Sequence, residues 1–278
     1  MTELKRPRPK SFLRWAGSKK QLLPILKEFW RHDHARYIEP FAGSACLFFE
    51  LQPESSILGD INVELIQAYE QIKSNITDLL SLLGQASKSK DEYYRLRALQ
   101  PELLSPPERA ARFIYLNRYC FNGLYRTNLG GKFNVPYGGE KSGNLPSPEL
   151  LMGCHRTLQN TTLVPGDFEK ALDLAQTGDF VYMDPPYSVA SYRVFNEYTP
   201  APFGKEDITR LRVWMDRLTD LGVEFLISYA DCQESKDLRK DYEYRMVFTR
   251  RHIAGFVSKR KEIGEVMISN RKRVKGIN

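Results

Sequence analysis

Cysteine is scarce in this chain: four in 278 residues, Cys46, Cys120, Cys154 and Cys232, far apart and with no Cys-x-x-Cys pair. That spacing excludes a disulfide framework and a zinc ribbon, and it fits a reducing compartment. The four histidines show no ligand spacing either, so no metal is expected. No apolar run is long enough to span a bilayer, and the opening Met1-Thr2-Glu3-Leu4-Lys5 does not begin a signal peptide. The expectation is a cytoplasmic protein without a membrane partner. A complete G-x-G-x-x-G is missing as well, which disfavours a dinucleotide-dependent oxidoreductase.

What the chain does have is apolar and basic. A hydrophobic fraction of 42% and an aromatic fraction of 12% suffice for a real core, so this is not a disordered chain. The length allows one large domain, or one domain carrying a sizeable insertion. A formal charge of +7 favours a polyanionic partner, nucleic acid before membrane. Residues 1–10 are basic and proline-rich (Lys5, Arg6, Arg8, Lys10), a solvated tail or a phosphate-contacting arm.

The most informative stretch is Asp184-Pro185-Pro186-Tyr187, which follows the apolar run Phe180-Val181-Tyr182-Met183. The run reads as a buried strand, and the carboxylate falls where that strand leaves the sheet. The two prolines stiffen the turn and donate no N–H, leaving their carbonyls as acceptors. Tyr187 adds a flat π face. Such a cluster suits a planar heterocycle with an exocyclic amine: carboxylate and prolyl carbonyl accept its N–H bonds while the ring stacks on the tyrosine.

A second pattern lies upstream. Tyr37-Ile38-Glu39-Pro40-Phe41 reads as a strand running into Ala42-Gly43-Ser44-Ala45, which opens a helix; Ser56-Ile57-Leu58-Gly59-Asp60 is a second strand ending in an acid. Strand, glycine turn, helix, strand, acid is the layout of a nucleotide-binding βαβ unit, with the acid placed for a ribose diol. Ala45 stands where a second glycine would serve a pyrophosphate. A nucleoside without phosphates, such as S-adenosylmethionine, fits better. Before this unit, Trp15-Ala16-Gly17-Ser18-Lys19 is a loop with an aromatic and a cation opening onto a helix, a place that attracts a carboxylate.

Phe41-Ala42-Gly43-Ser44, Asp60-Ile61-Asn62 and Asp184-Pro185-Pro186-Tyr187, in that order, resemble the motif set of the amino-methyltransferases. With Trp15-Ala16-Gly17-Ser18-Lys19 and Leu116-Asn117-Arg118-Tyr119-Cys120-Phe121-Asn122-Gly123 added, the chain from about residue 11 to 270 resembles the bacterial and phage DNA adenine methylases of the Dam family. The resemblance implies S-adenosylmethionine as cofactor, double-stranded DNA as partner, and methylation of adenine N6 in GATC. It assigns Trp15, Lys19, Phe41, Gly43, Ser44, Asp60, Asp167, Phe168 and Asp184 to the cofactor, and Asp184, Pro185, Pro186 and Tyr187 to catalysis.

Between the two motifs, residues 62–160 read as mostly helical. Asn62 to Ser74 and 76–100 look helical, and Pro106-Pro107-Glu108 starts a helix running to Tyr119. Ser105-Pro106-Pro107 superficially echoes the Ser-Pro-Pro-Tyr of cytosine-N4 enzymes, but helix initiation explains its prolines. Leu124-Tyr125-Arg126 and Lys132-Phe133-Asn134-Val135-Pro136 flank Gly130-Gly131 and read as a β-hairpin. A hairpin can enter a major groove, where arginine bonds guanine O6 and N7. Arg118 and Arg126 read equally well as surface cations. In the Dam-like assignment Leu124, Arg126 and Pro136 read outer bases, and Arg14 touches the first guanine where relatives mostly carry lysine. Arg118, Asn122 and Asn134 join the DNA contacts, and Phe121 resembles the wedge that fills the gap left by an extruded base.

After Thr162-Leu163-Val164, a short strand, Gly166-Asp167-Phe168 presents an acid and an aromatic able to bracket an adenine. Residues 188–200 read as a loop over the site, Ile208 to Leu218 as an amphipathic helix, and Val223 to Ile227, Tyr244 to Thr249 and Ile263 to Ser269 as strands. Lys259-Arg260-Lys261 and Arg271-Lys272-Arg273 read as solvated.

The expectation is therefore an α/β protein with a Rossmann-like, largely parallel methyltransferase sheet (1–61 and 161–278) and an inserted, mostly helical target-recognition domain (62–160) carrying a hairpin, monomeric in solution. Absence of a Pro-Cys pair disfavours a cytosine-C5 enzyme with a cysteine nucleophile. The alternatives are an amino-methyltransferase acting on cytosine N4, RNA or a protein amide, and an inactive DNA-binding relative.

Overall fold

The computed structural model describes residues 9–128, 130–186, 203–250 and 262–271. Tyr187, the expected loop at 188–200, residues 1–8 of the basic leader and the clusters at 259–261 and 272–273 lie outside them.

Among the described residues a seven-stranded sheet runs in the order β3-β2-β1-β4-β5-β7-β6. The strands are β1 (Tyr37–Glu39), β2 (Ser56–Asp60), β3 (Thr161–Pro165), β4 (Phe180–Met183), β5 (Glu224–Ala230), β6 (Glu243–Arg250) and β7 (Glu262–Ser269). The first five pair in parallel, and β7 inserts antiparallel between β5 and β6. Parallel pairing demands long crossovers, and each crossover supplies the helices that cover a face.

Alternation along the strands splits the core in two. Tyr37, Leu58, Phe180, Tyr182, Leu226 and Met267 point to one side. That side is covered by α1 (Leu23–Leu26), α2 (Cys46–Leu51), α3 (Val63–Ser74), α4 (Ile76–Gln85), α5 (Lys90–Ala98), α6 (Pro106–Tyr119) and α7 (Pro148–Leu158). Ile38, Ile57, Val181, Met183, Phe225 and Ile227 point to the other. There they meet α8 (Phe168–Leu172), α9 (Lys205–Asp220) and α10 (Gln233–Leu238). A period of two thus gives the central strands two buried faces, whereas the edge strand β6 leaves Tyr244 and Phe248 exposed.

Capping side chains mark the start of α3, α5, α6 and α7 between β2 and β3, but not of α4. Asn62 accepts the Leu65 amide at the start of α3, and Ser89 accepts that of Glu92 at the start of α5. The expected continuous helical stretch at 76–100 is therefore two helices. At α6 the Ser105 amide donates to Glu108 Oε2 (2.9 Å), and Pro106 takes the first helical position.

The hairpin expected around Gly130-Gly131 does not form as paired strands among the described residues. The chain reverses there through single antiparallel bridges, Thr127 with Phe133 and Cys120 with Tyr137. Side chains explain the difference. Asn128 Oδ1 takes the amides of Gly130 and Lys132, Pro136 has no amide to offer, and Tyr125, Phe133 and Val135 bury into the helical core. The helix expected through Leu22 to Leu26 is one α turn between two 3₁₀ turns, with Pro24 in its first turn.

Gly59 marks how closely β2 approaches α8: a Cβ there would lie 2.9 Å from the Ala171 Cβ. Gly59→Ala is expected to lower stability by about 1–3 kcal/mol through overpacking. Gly84→Ala, in α4 with nothing within 4 Å of the added carbon, is expected to raise it by roughly 0.5–1 kcal/mol. Urea unfolding of both variants checks the opposite signs.

Candidate active site

The strand order reverses between β1 and β4, so their carboxyl ends splay apart and leave a crevice, the place where open α/β sheets bind ligands. A cleft of about 450 Å³ opens there. Into it come Glu39 from the end of β1, Asp60 from β2, Asp167 beyond β3, and Asp184 with Pro185 and Pro186 beyond β4. Trp15, Gly17, Ser18 and Lys19 close it from the N-terminal loop.

Asp184 is held from two sides. Lys19 Nζ donates to its Oδ1 at 2.6 Å, and Ser228 Oγ, on β5, donates to the same oxygen at 3.0 Å. Tyr182, one strand pleat before, shares a hydrogen bond with Ser228 (2.9 Å). The Lys19 side chain is 5% exposed and that of Asp184 20%, so the cation is sealed while the carboxylate keeps an open edge on the cleft. An ion pair screened from water on one side holds its geometry far better than an exposed one.

Asp60 is fixed by backbone. Its two oxygens accept the amides of Gly43 (2.9 Å) and Asn62 (2.8 Å). A carboxylate offers about four acceptor positions, so capacity remains for further donors from the cleft. Burial pushes the Asp60 carboxyl up to about 6, against the pull of those two amides. Burial also lifts Glu39 well above the usual carboxylate range, although Tyr37 OH donates to it at 2.9 Å; Asp184 and Asp60 nearby add to the rise. Cys46 lines the cleft, but burial pushes its thiol up to about 11, so it is no thiolate nucleophile at neutral pH.

The turn between β1 and α2 shapes the floor. Gly43 has φ +45, and a Cβ on it would meet Trp15 Cδ1 and Nε1 at 2.9 Å. Ala45 also adopts the left-handed region (φ 46), doing with some strain what a glycine would do freely. Tyr69 OH, from α3, holds the Gly43 carbonyl at 2.8 Å.

At the far end the cleft is aromatic. Phe41 and Phe168 stack (5.2 Å, 26°), and Phe203 meets Phe41 edge-on at 5.9 Å. Arg210 lies over Phe168 (4.7 Å) and bonds Asp167, Glu169 and Asp207. Asp167 also caps α8 through the Glu169 amide.

All nine residues expected at a cofactor, Asp184 among them, thus line one cleft, together with Pro185 and Pro186. The residues expected at DNA lie beside it, around the C-terminal end of α6. Phe121 is half exposed, Asn122 is exposed with φ 54, and Pro136 is exposed. Leu124, Arg126 and Asn134 are half-buried, and Arg126 Nε donates to Asn134 Oδ1 at 2.8 Å. Two of the arginines hold backbone here: Arg14 donates to the carbonyls of Arg118 and Ser142, and Arg118 to that of Asn144. Gly123 gives Arg14 its room, since a Cβ there would sit 2.6 Å from the Arg14 Cβ.

Sequence reasoning missed Tyr125, Glu39, Phe203, Arg210 and Ser228. Alternation within Leu124-Tyr125-Arg126 could have turned Tyr125 inward, away from its neighbours. Ser228 sits at the same strand end as the acids, on the adjacent strand. Phe203 and Arg210 carried no local signal.

Comparison with known proteins gives a consistent answer. Residues 15–253 match the family model of the D12 class N6 adenine-specific DNA methyltransferases. The type II methyltransferase M1.LlaDCHI of Lactococcus lactis subsp. cremoris is 38% identical over 268 residues, covering 93% of this chain and 94% of that one. The DNA adenine methylase of Serratia marcescens is 33% identical over 266 residues, covering 93% and 97%. The DNA adenine methylase of Escherichia coli K12 is 30% identical over 265 residues, covering 93% and 94%.

The raised Asp60 carboxyl has a linkage consequence. Because the folded state binds this proton more tightly than the unfolded chain, the group costs nothing well below pH 4 and its cost grows as pH rises through about 6. At about 1.4 kcal/mol per pH unit of displacement, the full cost is roughly 3 kcal/mol. The difference in unfolding free energy between wild type and Asp60→Asn, followed from pH 4 to 7, is expected to slope against wild type. A flat difference would deny the perturbed carboxyl.

Proposed function

The chain belongs to the D12 class of N6 adenine-specific DNA methyltransferases, and on that premise we propose that it takes S-adenosylmethionine as donor and methylates an adenine swung out of duplex DNA, in GATC. The observation that carries the residue assignment is the open-edged Asp184 carboxylate, fixed by Lys19 and Ser228 inside the one cleft that also contains Asp60.

The cleft's chemistry fits the donor. Asp60, with acceptor capacity left after its two amides, would take the ribose hydroxyls; Phe41, Phe168 and Phe203 form an apolar slot for the adenine ring; Gly43 lets backbone come close, since a side chain is barred there by Trp15. Lys19, Trp15 and Ser44 would hold the amino-acid end. When bound, S-adenosylmethionine supplies an electrophilic methyl group on a positively charged sulfur.

The target amine is a poor nucleophile because its lone pair is delocalised into the ring. Asp184 and the Pro185 carbonyl would accept hydrogen bonds from its two N–H groups, drawing the nitrogen toward tetrahedral geometry and freeing that pair. Holding donor and acceptor in line can contribute up to ~7–11 kcal/mol. Extruding the base costs a few kcal/mol, offset by those hydrogen bonds and by stacking on Tyr187. The helices at 62–160 would act as the target-recognition domain, with Leu124, Arg126 and Pro136 reading outer bases, Arg14 the first guanine, Phe121 filling the gap, and Arg118, Asn122 and Asn134 supporting the contact. As folded here, Arg14 and Arg118 are engaged with carbonyls, so those two contacts require their side chains to be exchanged onto DNA.

Methylation-sensitive sequencing of DNA from cells expressing the protein tests this reading: methyl-adenine confined to GATC supports it, and another context overturns the site assignment. In the same assay Arg126→Ala is expected to relax one outer base position, a loss of about 1–3 kcal/mol of discrimination. Asp184→Asn, which keeps the shape, is expected to lower kcat by about 10²–10³-fold with DNA affinity within a few-fold. Single-turnover methylation and equilibrium DNA titration check both halves.

A further inference from the structure

Tyr125 stands between two residues assigned to base reading, yet its side chain belongs to the other site. Leu124 and Arg126 are half-buried, Leu124 against the edge of the helical core, whereas Tyr125 is 8% exposed and lines the donor cleft. Its ring stacks on Trp15 at 6.1 Å and 25°, and is clamped from behind by Phe113 (5.3 Å) and Phe133 (5.5 Å). Trp15 in turn is the wall against which Gly43 packs. At the other end of the ring the Tyr125 hydroxyl donates to Glu64 Oε2 at 2.6 Å, with the Asn62 side chain also within reach.

Glu64 lies in the first turn of α3, capped by Asn62, whose own amide is bonded to the Asp60 carboxylate. One side chain therefore touches both banks of the donor cleft, Trp15 on one and the α3 start behind Asp60 on the other. Its backbone neighbours face the surface assigned to DNA. A charge-assisted hydrogen bond under 2.7 Å and a packed aromatic clamp make this a stiff connection, so a shift of the 124–126 backbone on DNA cannot leave Tyr125 in place.

We propose that Tyr125 is a positioning residue that couples recognition of the correct DNA site to the shape of the donor cleft. The proposal rests on the reading above that residues 124–126 contact bases. A correct outer base seats Leu124 and Arg126 and locks the Tyr125 ring and hydroxyl in the contacts they already make with Trp15 and Glu64, holding Asp60 and the Gly43 turn in alignment. A wrong base leaves those contacts unlocked. Because coupling of this kind is reciprocal, it is readable as an effect of DNA on binding at the donor site.

The test uses the full-length enzyme, S-adenosylhomocysteine as an unreactive probe, a duplex carrying the site found by sequencing, and the same duplex with one outer base changed. In wild type the correct duplex is expected to tighten probe binding by at least about fivefold and the changed duplex by less than about twofold, within the usual range of coupling. Tyr125→Phe, which keeps the ring and removes the hydroxyl, is expected to reduce the correct duplex's effect below about twofold. Its DNA affinity, and its probe affinity without DNA, should stay within about threefold. Adding Glu64→Gln to Tyr125→Phe is expected to change the coupling no further, because both act through one bond. Wild-type enzyme whose probe affinity ignores DNA, or a Tyr125→Phe enzyme that loses melting temperature but retains the fivefold effect, overturns the proposal. Absence of methyl-adenine from wild-type-modified DNA overturns the underlying reading as well, which keeps the two failures distinct.

Discussion

The structure turns on the ion pair between Lys19 and Asp184. It joins residues 165 apart in sequence, one in the N-terminal loop and the other at the end of β4. Its ammonium is nearly sealed from water, and Asp184 at 2.6 Å, the Gly17 carbonyl at 3.3 Å and the buried Glu265 carboxylate at 4.0 Å stand in for its hydration. Removing Asp184 would take the short ion pair from a sealed cation, costing several kcal/mol. The pair therefore welds the loop carrying Trp15 to the strand end carrying Asp184-Pro185-Pro186. Ser228, on β5, adds a second strand to the same joint.

Everything else in the cleft follows from where the sheet places that joint. The reversal of strand order between β1 and β4 opens a crevice at the carboxyl ends, and acids end or follow four consecutive positions in the sheet: Asp167, Asp60, Glu39 and Asp184. Their environments set them apart. Asp60 is held by two backbone amides yet lifted by burial, Glu39 is driven toward its neutral form, and Asp184 is compensated by a cation. On the proposed reading Asp60 accepts hydroxyl donors and Asp184 accepts a hydrogen bond from the amine, a division of labour set by environment rather than residue type.

Of the strand-end acids, Asp60 and Asp184 were legible because a short apolar run bounded by turn residues announces both a strand and its exit, whereas Glu39 was missed. Asp60 and Asp184 needed no tertiary information to be placed at strand ends, and the helix starts at Asn62 and Pro106 were equally plain. The segment from Leu124 to Pro136 was not. Its alternation and its glycine pair matched a hairpin, but Asn128 diverted two amides and the inward aromatics preferred the helical core, so only single bridges form among the described residues. The role of Lys19 was half legible: a cation near the cleft was expected, whereas its engagement with Asp184 depends on a contact between distant segments. Phe203 and Arg210 illustrate the same limit, since the aromatic slot exists only once β1, α8 and α9 are packed together.

The central claim is that this fixed carboxylate meets the amine of an extruded adenine. A crystal structure of the enzyme with S-adenosylhomocysteine and a duplex containing its methylation site measures that directly. The account requires an unstacked adenine whose amine lies within hydrogen-bond distance of Asp184 and the Pro185 carbonyl, with Asp60 on the ribose of the ligand. A target base that remains stacked in the duplex, or that enters elsewhere while Asp184 contacts only Lys19 and Ser228, would contradict it.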